Sequence, residues 1–182
     1  MTGTIRMVRV YQQPRDLVWK ALTDAELLSQ WLMPTDMQPE VGHQFTFRTE
    51  PGPGFDGIVH CEVLELDPGH SMAWSWRGGP LDTTVRFQLK DVSSADGATG
   101  GTELTLVHTG FGGLKGRLVQ AILRIGNRTL YGKKLPRLLA ALAKDNQSTG
   151  GAGEDQACMS PWQRVLIFCT KLVPGRRAHP PQ

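Results

Sequence analysis

GGLKGRLVQAILRIGNRTLYGKKLPRLLAALAK, residues 112–144, decides how this chain is to be read. Leu114, Leu118, Ile122, Ile125 and Leu130 recur at helical spacing, and Lys115, Arg117, Arg124 and Arg128 fall largely elsewhere, which is the pattern of one long amphipathic helix. Gly126, Gly132 and Pro136 interrupt it. A proline inside a helix removes a donor and crowds the preceding turn, so a kink or division is expected before the apolar stretch Leu138 to Leu142. The run Gly110-Phe111-Gly112-Gly113 in front of the helix lets the chain turn sharply out of whatever precedes it.

Upstream the period changes. Met72-Ala73-Trp74-Ser75-Trp76, Val85-Arg86-Phe87-Gln88-Leu89 and Leu104-Thr105-Leu106-Val107-His108 place large residues on one face and small or polar ones on the other. That is the signature of an antiparallel sheet covered on one side. Val41, Phe45 and Phe47 alternate likewise. Ile58 to Leu66 is strand-like, with a slip near Val63-Leu64 where a bulge fits, and Thr4 to Gln12 reads as a first strand stopped by Gln13-Pro14. Turn clusters at Pro51 to Gly54, Pro68-Gly69, Gly78 to Pro80 and Ser93 to Gly101 separate these runs, giving six expected strands.

Between the first two strands, Leu17, Val18, Ala21 and Leu22 recur at helical spacing behind Pro14. Thr23-Asp24 then offers an N-cap to a second helical piece carrying Leu27, Leu28, Trp31 and Leu32. The fold class is therefore α+β: a curved six-stranded antiparallel sheet wrapped on a long C-terminal helix, with two short helices between strands 1 and 2. The domain is expected to span residues 1–144, followed by a flexible Gly/Ser linker over 145–159 and a tail over 160–182. In the tail, Ser160-Pro161-Trp162-Gln163 has the form of a capping box, so Pro161 to Leu172 reads as one more short helix.

At 182 residues, 40% hydrophobic, 20% charged and net charge +3, the chain has ordinary globular composition and too weak a basic skew for a nucleic-acid protein. Cys61, Cys158 and Cys169 lack CxxC spacing and suggest neither a disulfide framework nor a zinc site. No secretory leader and no transmembrane span are read, so a cytoplasmic location is expected.

PRDLVWKALTDAELLSQWL, Pro14 to Leu32, resembles the opening signature of the heat-shock-chaperone ATPase activator homologues, a family of the START-like (SRPBCC, birch-allergen-like helix-grip) superfamily. LTLVHTGF, Leu104 to Phe111, resembles that family's last strand and exit turn. EVGHQFTF and VLELDPGHSMAWSW fit its usual course, so the resemblance covers Thr4 to Ala143. It implies a helix-grip fold with a cavity between sheet and long helix that holds an apolar or amphipathic small molecule. The family's last helix usually carries a Gly-Trp pair; the nearest match here is Tyr131-Gly132, in a basic helix similar to those of the polyketide-cyclase and dehydrase branch.

On that frame, Trp74 and Trp76 share a face with Met72, and Phe45, Phe47, Phe87, Leu104 and Leu106 join them in an aromatic-rich concave surface. Each is either core filling or a ligand contact. Trp31 is placed as a lid near the mouth, Leu118 and Ile122 as the helix side of the cavity, and Phe111 at the strand exit. His108 turns inward by alternation and is the one candidate for hydrogen-bonding a ligand or for acid–base work; its ordinary alternative is a histidine satisfied by its neighbours. Asp36, Glu50, Asp56 and Glu62 are candidate rim carboxylates, with solvated surface as their ordinary state. The spacing of His43, His60, His70, His108 and His179 suggests no metal. With no GxSxG elbow and no phosphate-binding loop, no catalytic serine and no cofactor are expected.

The basic residues Lys115, Arg117, Arg124, Arg128, Lys133, Lys134 and Arg137 form either a solvated face or a docking face for an acidic protein partner. Trp162, Val165, Leu166, Phe168 and Leu172, near Lys171, Arg176 and Arg177, read as an interfacial or partner-binding helix, or as one that packs on its own domain or on a second copy in a homodimer. The leading functional expectation is non-enzymatic binding of an apolar or amphipathic small molecule. The alternatives are a protein-interaction module modulating a chaperone ATPase, as the resemblance implies, and a cyclase or hydrolase using His108 with a rim carboxylate.

Overall fold

The computed structural model describes residues 3–52, 55–93 and 99–149. A first strand, β1 (Gly3–Tyr11), leads into two short helices, α1 (Arg15–Thr23) and α2 (Ala25–Trp31). Five strands follow: β2 (Gln44–Arg48), β3 (Ile58–Asp67), β4 (Ser71–Gly78), β5 (Leu81–Ser93) and β6 (Thr99–Phe111). A last helical stretch comprises α3 (Gly113–Thr129), a π-helical turn (Leu130–Lys134) and α4 (Leu135–Thr149). The helix thus continues five residues past the boundary expected at Lys144; the remainder of the expected linker, and the tail with its short helix, lie outside the described residues.

The strands form one antiparallel sheet in the order β1-β6-β5-β4-β3-β2, a meander whose last strand lies beside the first. The slip in the β3 pattern is a register shift between Val63 and Glu65. Pairing sets side chains in rows across the concave face: Ile5, His108, Val85 and Trp74 in one, Met7, Leu106, Phe87 and Met72 in the next. Because side chains alternate along every strand, register alone delivers these residues to one side.

Local chemistry shapes the helices. Pro14 sits just before α1 with its carbonyl accepting from Leu17 and Val18 N–H, and Asp24 caps α2, its Oδ1 accepting from Glu26 and Leu27 N–H at 2.9 and 3.0 Å. Gly110 and Gly113 take φ of +104° and +65° at the turn from β6 into α3, conformations that side chains oppose.

Two features of the long helix differ from expectation. The break falls one turn before Pro136, as a π turn in which Leu135 N–H reaches back to Leu130 O. The next donor in that series would be residue 136, which as proline has none, and the Tyr131 carbonyl this leaves over accepts the Tyr11 hydroxyl at 2.8 Å. The proline's effect is therefore a local rewinding stabilised from β1. The second difference is rotation. Leu114, Leu118, Ile122 and Ile125 are 87, 66, 60 and 70% exposed, and the inward face instead carries Val119, Leu123, Tyr131, Leu135 and Leu139.

The two halves of the helix consequently pack differently. Tyr131, Leu135 and Leu139 belong to the main core with Trp31, Phe47, Trp74 and Phe87, whereas α3 rests Val119 and Leu123 on a small cluster of Ile5, Leu81 and Phe111. Between those two contacts the helix stands off the sheet. No helix among the described residues is long and apolar enough to cross a membrane.

Candidate ligand-binding cavity

The gap between sheet and helix is a cavity of about 420 Å³, within the size range of small-molecule sites. Its floor is Trp74, Trp76, Val85, Phe87, Leu106 and His108. Its roof is Val119, Leu123 and Asn127 of α3 with Leu130 and Tyr131 of the π turn. Leu32 and Met33 after α2, Thr49 and Phe55 between β2 and β3, Val59 of β3, and Gly78, Pro80 and Leu81 around the β4–β5 turn complete the wall. The lining is mostly apolar, so the hydrophobic effect favours an apolar occupant over water.

Few polar groups interrupt this lining. The Thr83 hydroxyl donates to the Trp76 carbonyl at 3.1 Å, so its oxygen is left to accept from His108 Nε2–H at 2.8 Å. That assigns the ring proton to Nε2 and leaves Nδ1 as an acceptor without a partner among the described residues. Burial drives the His108 pKa down to about 4, because an imidazolium here would lose its water. The ring is neutral at neutral pH. It is held between Phe111, with ring centroids 4.5 Å apart, and Trp76, at 6.1 Å.

Trp74 is 1% exposed and stacks at a tilt on Phe87, centroids 4.8 Å apart; its indole N–H is buried without a hydrogen-bond partner among the described residues. An unpaired buried donor costs about 1–3 kcal/mol, a deficit that a ligand oxygen would relieve. Asn127 adds an amide on the roof with no partner among the described residues.

Of the residues singled out from the sequence, Trp74, Trp76, Phe87, Leu106 and His108 meet at the cavity. Phe45, Phe47 and Leu104 are buried behind them, Phe45 packing edge-on to Phe47 and Trp74 at 5.5 and 5.8 Å. Phe111 supports His108 from the small cluster. Trp31 is no lid: it is 1% exposed, donates from Nε1 to Ala21 O at 3.0 Å and meets Tyr131 edge-on at 5.0 Å. The next two residues, Leu32 and Met33, reach the cavity in its place. Leu118 and Ile122 point to solvent, on the other side of α3 from Val119 and Leu123.

None of the candidate rim carboxylates lines the cavity. Asp36 accepts from Thr46 N–H at 2.7 Å and from its hydroxyl at 3.2 Å, which ties the segment before β2 to that strand and holds the carboxyl below its ordinary pKa. Among the described residues no cluster of three or more His, Cys, Asp or Glu side chains forms a metal-type site. Cys61 is buried, its thiol pushed up to about 12 by desolvation. Val119, Leu123, Asn127 and Tyr131 escape a reading of the sequence because the richer stripe from Leu114 to Ile125 hides the inward face; their four-residue spacing is the available signal.

A bent antiparallel sheet gripping a long helix over a mostly apolar cavity defines a START-like, helix-grip protein. This chain belongs to the family described as Activator of Hsp90 ATPase homolog 1-like proteins, whose sequence profile matches residues 12–139. Among solved structures it is similar to protein MLL2253 from Mesorhizobium loti, at 29% identity over 76% of this chain and 98% of that one, with a TM-score of 0.65. It also shares the fold of CalU16 from Micromonospora echinospora (20% identity, 82% and 84% covered, TM-score 0.61). DynU16, from the dynemicin biosynthetic locus, shares it too (24% identity, 75% and 47% covered, TM-score 0.59). No curated protein matches the chain.

Proposed function

We propose that this protein binds an apolar or amphipathic small molecule between the sheet and α3, as a carrier or sensor of that molecule and not as a catalyst. The observation that carries the reading is the mostly apolar cavity of about 420 Å³ whose lining holds only a few isolated polar groups. A ligand with an apolar body and one or two oxygens suits it, a hydroxyl donating to His108 Nδ1 and an oxygen accepting from Asn127 or, after a small shift, from Trp74. Family membership supports a ligand-holding interior.

Catalysis through His108 is less well supported. A pKa near 4 makes the ring a weak base and leaves almost none of it protonated as an acid at neutral pH. Among the described residues no carboxylate lines the cavity to orient it or share its proton.

The test is uptake of the neutral fluorescent probe 1-N-phenylnaphthylamine by the purified full chain, with native mass spectrometry of the same preparation. Saturable binding of one probe per chain, or a co-purified small molecule released on denaturation, is the expected result. A protein that neither takes up the probe nor carries a molecule has no working cavity, and the reading fails.

A further inference from the structure

The outward face of α3 has no structural role in the fold described above. Leu114, Leu118, Ile122 and Ile125 are 60–87% exposed, while most other large aliphatic residues among the described residues are buried or half-buried. At about 100° per residue they fall within an arc of about 80° along some 17 Å of helix. Arg117, Arg124 and Arg128, all exposed, occupy the arc beside them. None of these arginines is in an ion pair among the described residues. Between Glu103 and Asp145 the sequence contains no acidic residue, while Lys133, Lys134 and Arg137 extend the positive face along the helix.

We propose that this face of α3 docks the protein on an anionic lipid surface, the four aliphatic side chains entering the boundary between headgroups and acyl chains and the arginines pairing with lipid phosphates or carboxylates. An aliphatic stripe bordered by cations, with no carboxylate on the helix, is the composition of an interfacial helix. Charge decides between occupants. Laying the stripe on a second copy would bring two rows of arginines together, and a contact of four side chains falls well short of the roughly 800 Å² per partner of a stable protein interface. It also lacks the aromatic anchors that concentrate protein–protein binding energy. An anionic bilayer satisfies both halves of the face at once. Residues on the other side of the same helix, Val119, Leu123 and Asn127, roof the cavity, so docking would bring the site's roof against the bilayer. The surface chemistry stands whether or not the cavity is occupied.

The experiment is vesicle flotation of the full chain with phosphatidylcholine alone or with about 30% phosphatidylglycerol, the anionic fraction that sets the surface potential. Binding to the anionic vesicles at least about tenfold above neutral ones, weakened by added salt, is expected. Leu118→Gln with Ile122→Gln should abolish it. Arg117→Gln, Arg124→Gln and Arg128→Gln together should reduce it roughly 100-fold. All five positions are exposed, so both variants should keep the parent's urea midpoint and probe uptake. Equal binding to neutral and anionic vesicles, or binding unchanged in both variants and so mediated by another part of the chain, overturns the proposal. So does a failure to bind the anionic vesicles; a dimer, seen by sedimentation, that the Leu118→Gln/Ile122→Gln variant dissociates would then make the face a contact between copies.

Discussion

The hydroxyl of Tyr11 at the end of β1 donates to the backbone carbonyl of Tyr131 at 2.8 Å, within the core. It replaces the helical donor that Pro136 cannot supply and ties the first strand to the turn that forms one end of the cavity roof. Burial keeps the Tyr11 hydroxyl protonated far into alkaline pH, so the bond persists throughout the working range.

Tyr11→Phe should therefore destabilise the fold by about 1–3 kcal/mol, the range for leaving a buried polar group unpaired. In a Pro136→Ala background, residue 136 regains its N–H and can serve the helix itself, so the same substitution should cost clearly less. Urea unfolding of the four proteins gives the coupling directly. Equal losses in both backgrounds would mean that proline and tyrosine act independently.

The rotation of α3 makes a contrasting pair of substitutions. Leu123→Trp adds bulk under the roof and should lower phenylnaphthylamine affinity by tenfold or more. Leu118→Trp, five residues earlier on the solvent side, should leave it unchanged. Probe titration distinguishes them, and matching losses would place the cavity elsewhere.

That rotation also marks where the sequence stopped being legible. Alternation along β4, β5 and β6 was enough to put Trp74, Phe87, Leu106 and His108 on one face, because the pleat has period two and one face is buried. Asp24 as a cap and the irregularity near Val63 were legible for equally local reasons. α3 was not, because it carries apolar residues on two sides and periodicity selects the richer, which here is the side facing solvent. Trp31 misled differently: its place at a helix end suggested a lid, but its indole N–H finds the Ala21 carbonyl inside the core. The π turn arises from a partner, Tyr11, that no local pattern around Pro136 reveals.

Gly101 in β6 has φ of +134°, and a Cβ there would lie 2.1 Å from the Tyr11 carbonyl oxygen. Gly101→Ala should thus cost at least about 2 kcal/mol, since backbone strain and a clash with main chain add. Gly42, at φ +86° with nothing within 4 Å of its added Cβ, isolates the strain alone, and Gly42→Ala should cost about 1 kcal/mol. Thermal or urea unfolding would rank the two. The reverse order would mean that β6 yields at Gly101 without loss.

His108 gives the fold a specific acid sensitivity. Its pKa is about 4 in the folded protein against 6.5 ordinarily, so between those values the unfolded chain binds more protons than the folded one. The stability its neutral form confers is complete above about pH 6.5 and declines as pH falls; by pH 5 about 2 kcal/mol should be gone. Protonation would also place a second N–H, at Nδ1, against a mostly apolar cavity, where it has no hydrogen-bond partner among the described residues. His108→Gln can keep a donor toward Thr83 and cannot titrate. The carboxylates titrate in both proteins, so the difference between their urea midpoints at pH 7.5 and pH 5 isolates the histidine. The parent should lose about 2 kcal/mol more than the variant over that interval. Parallel losses would show that His108 is protonated in place at little cost, which requires water or an acceptor at Nδ1 and hence a polar cavity.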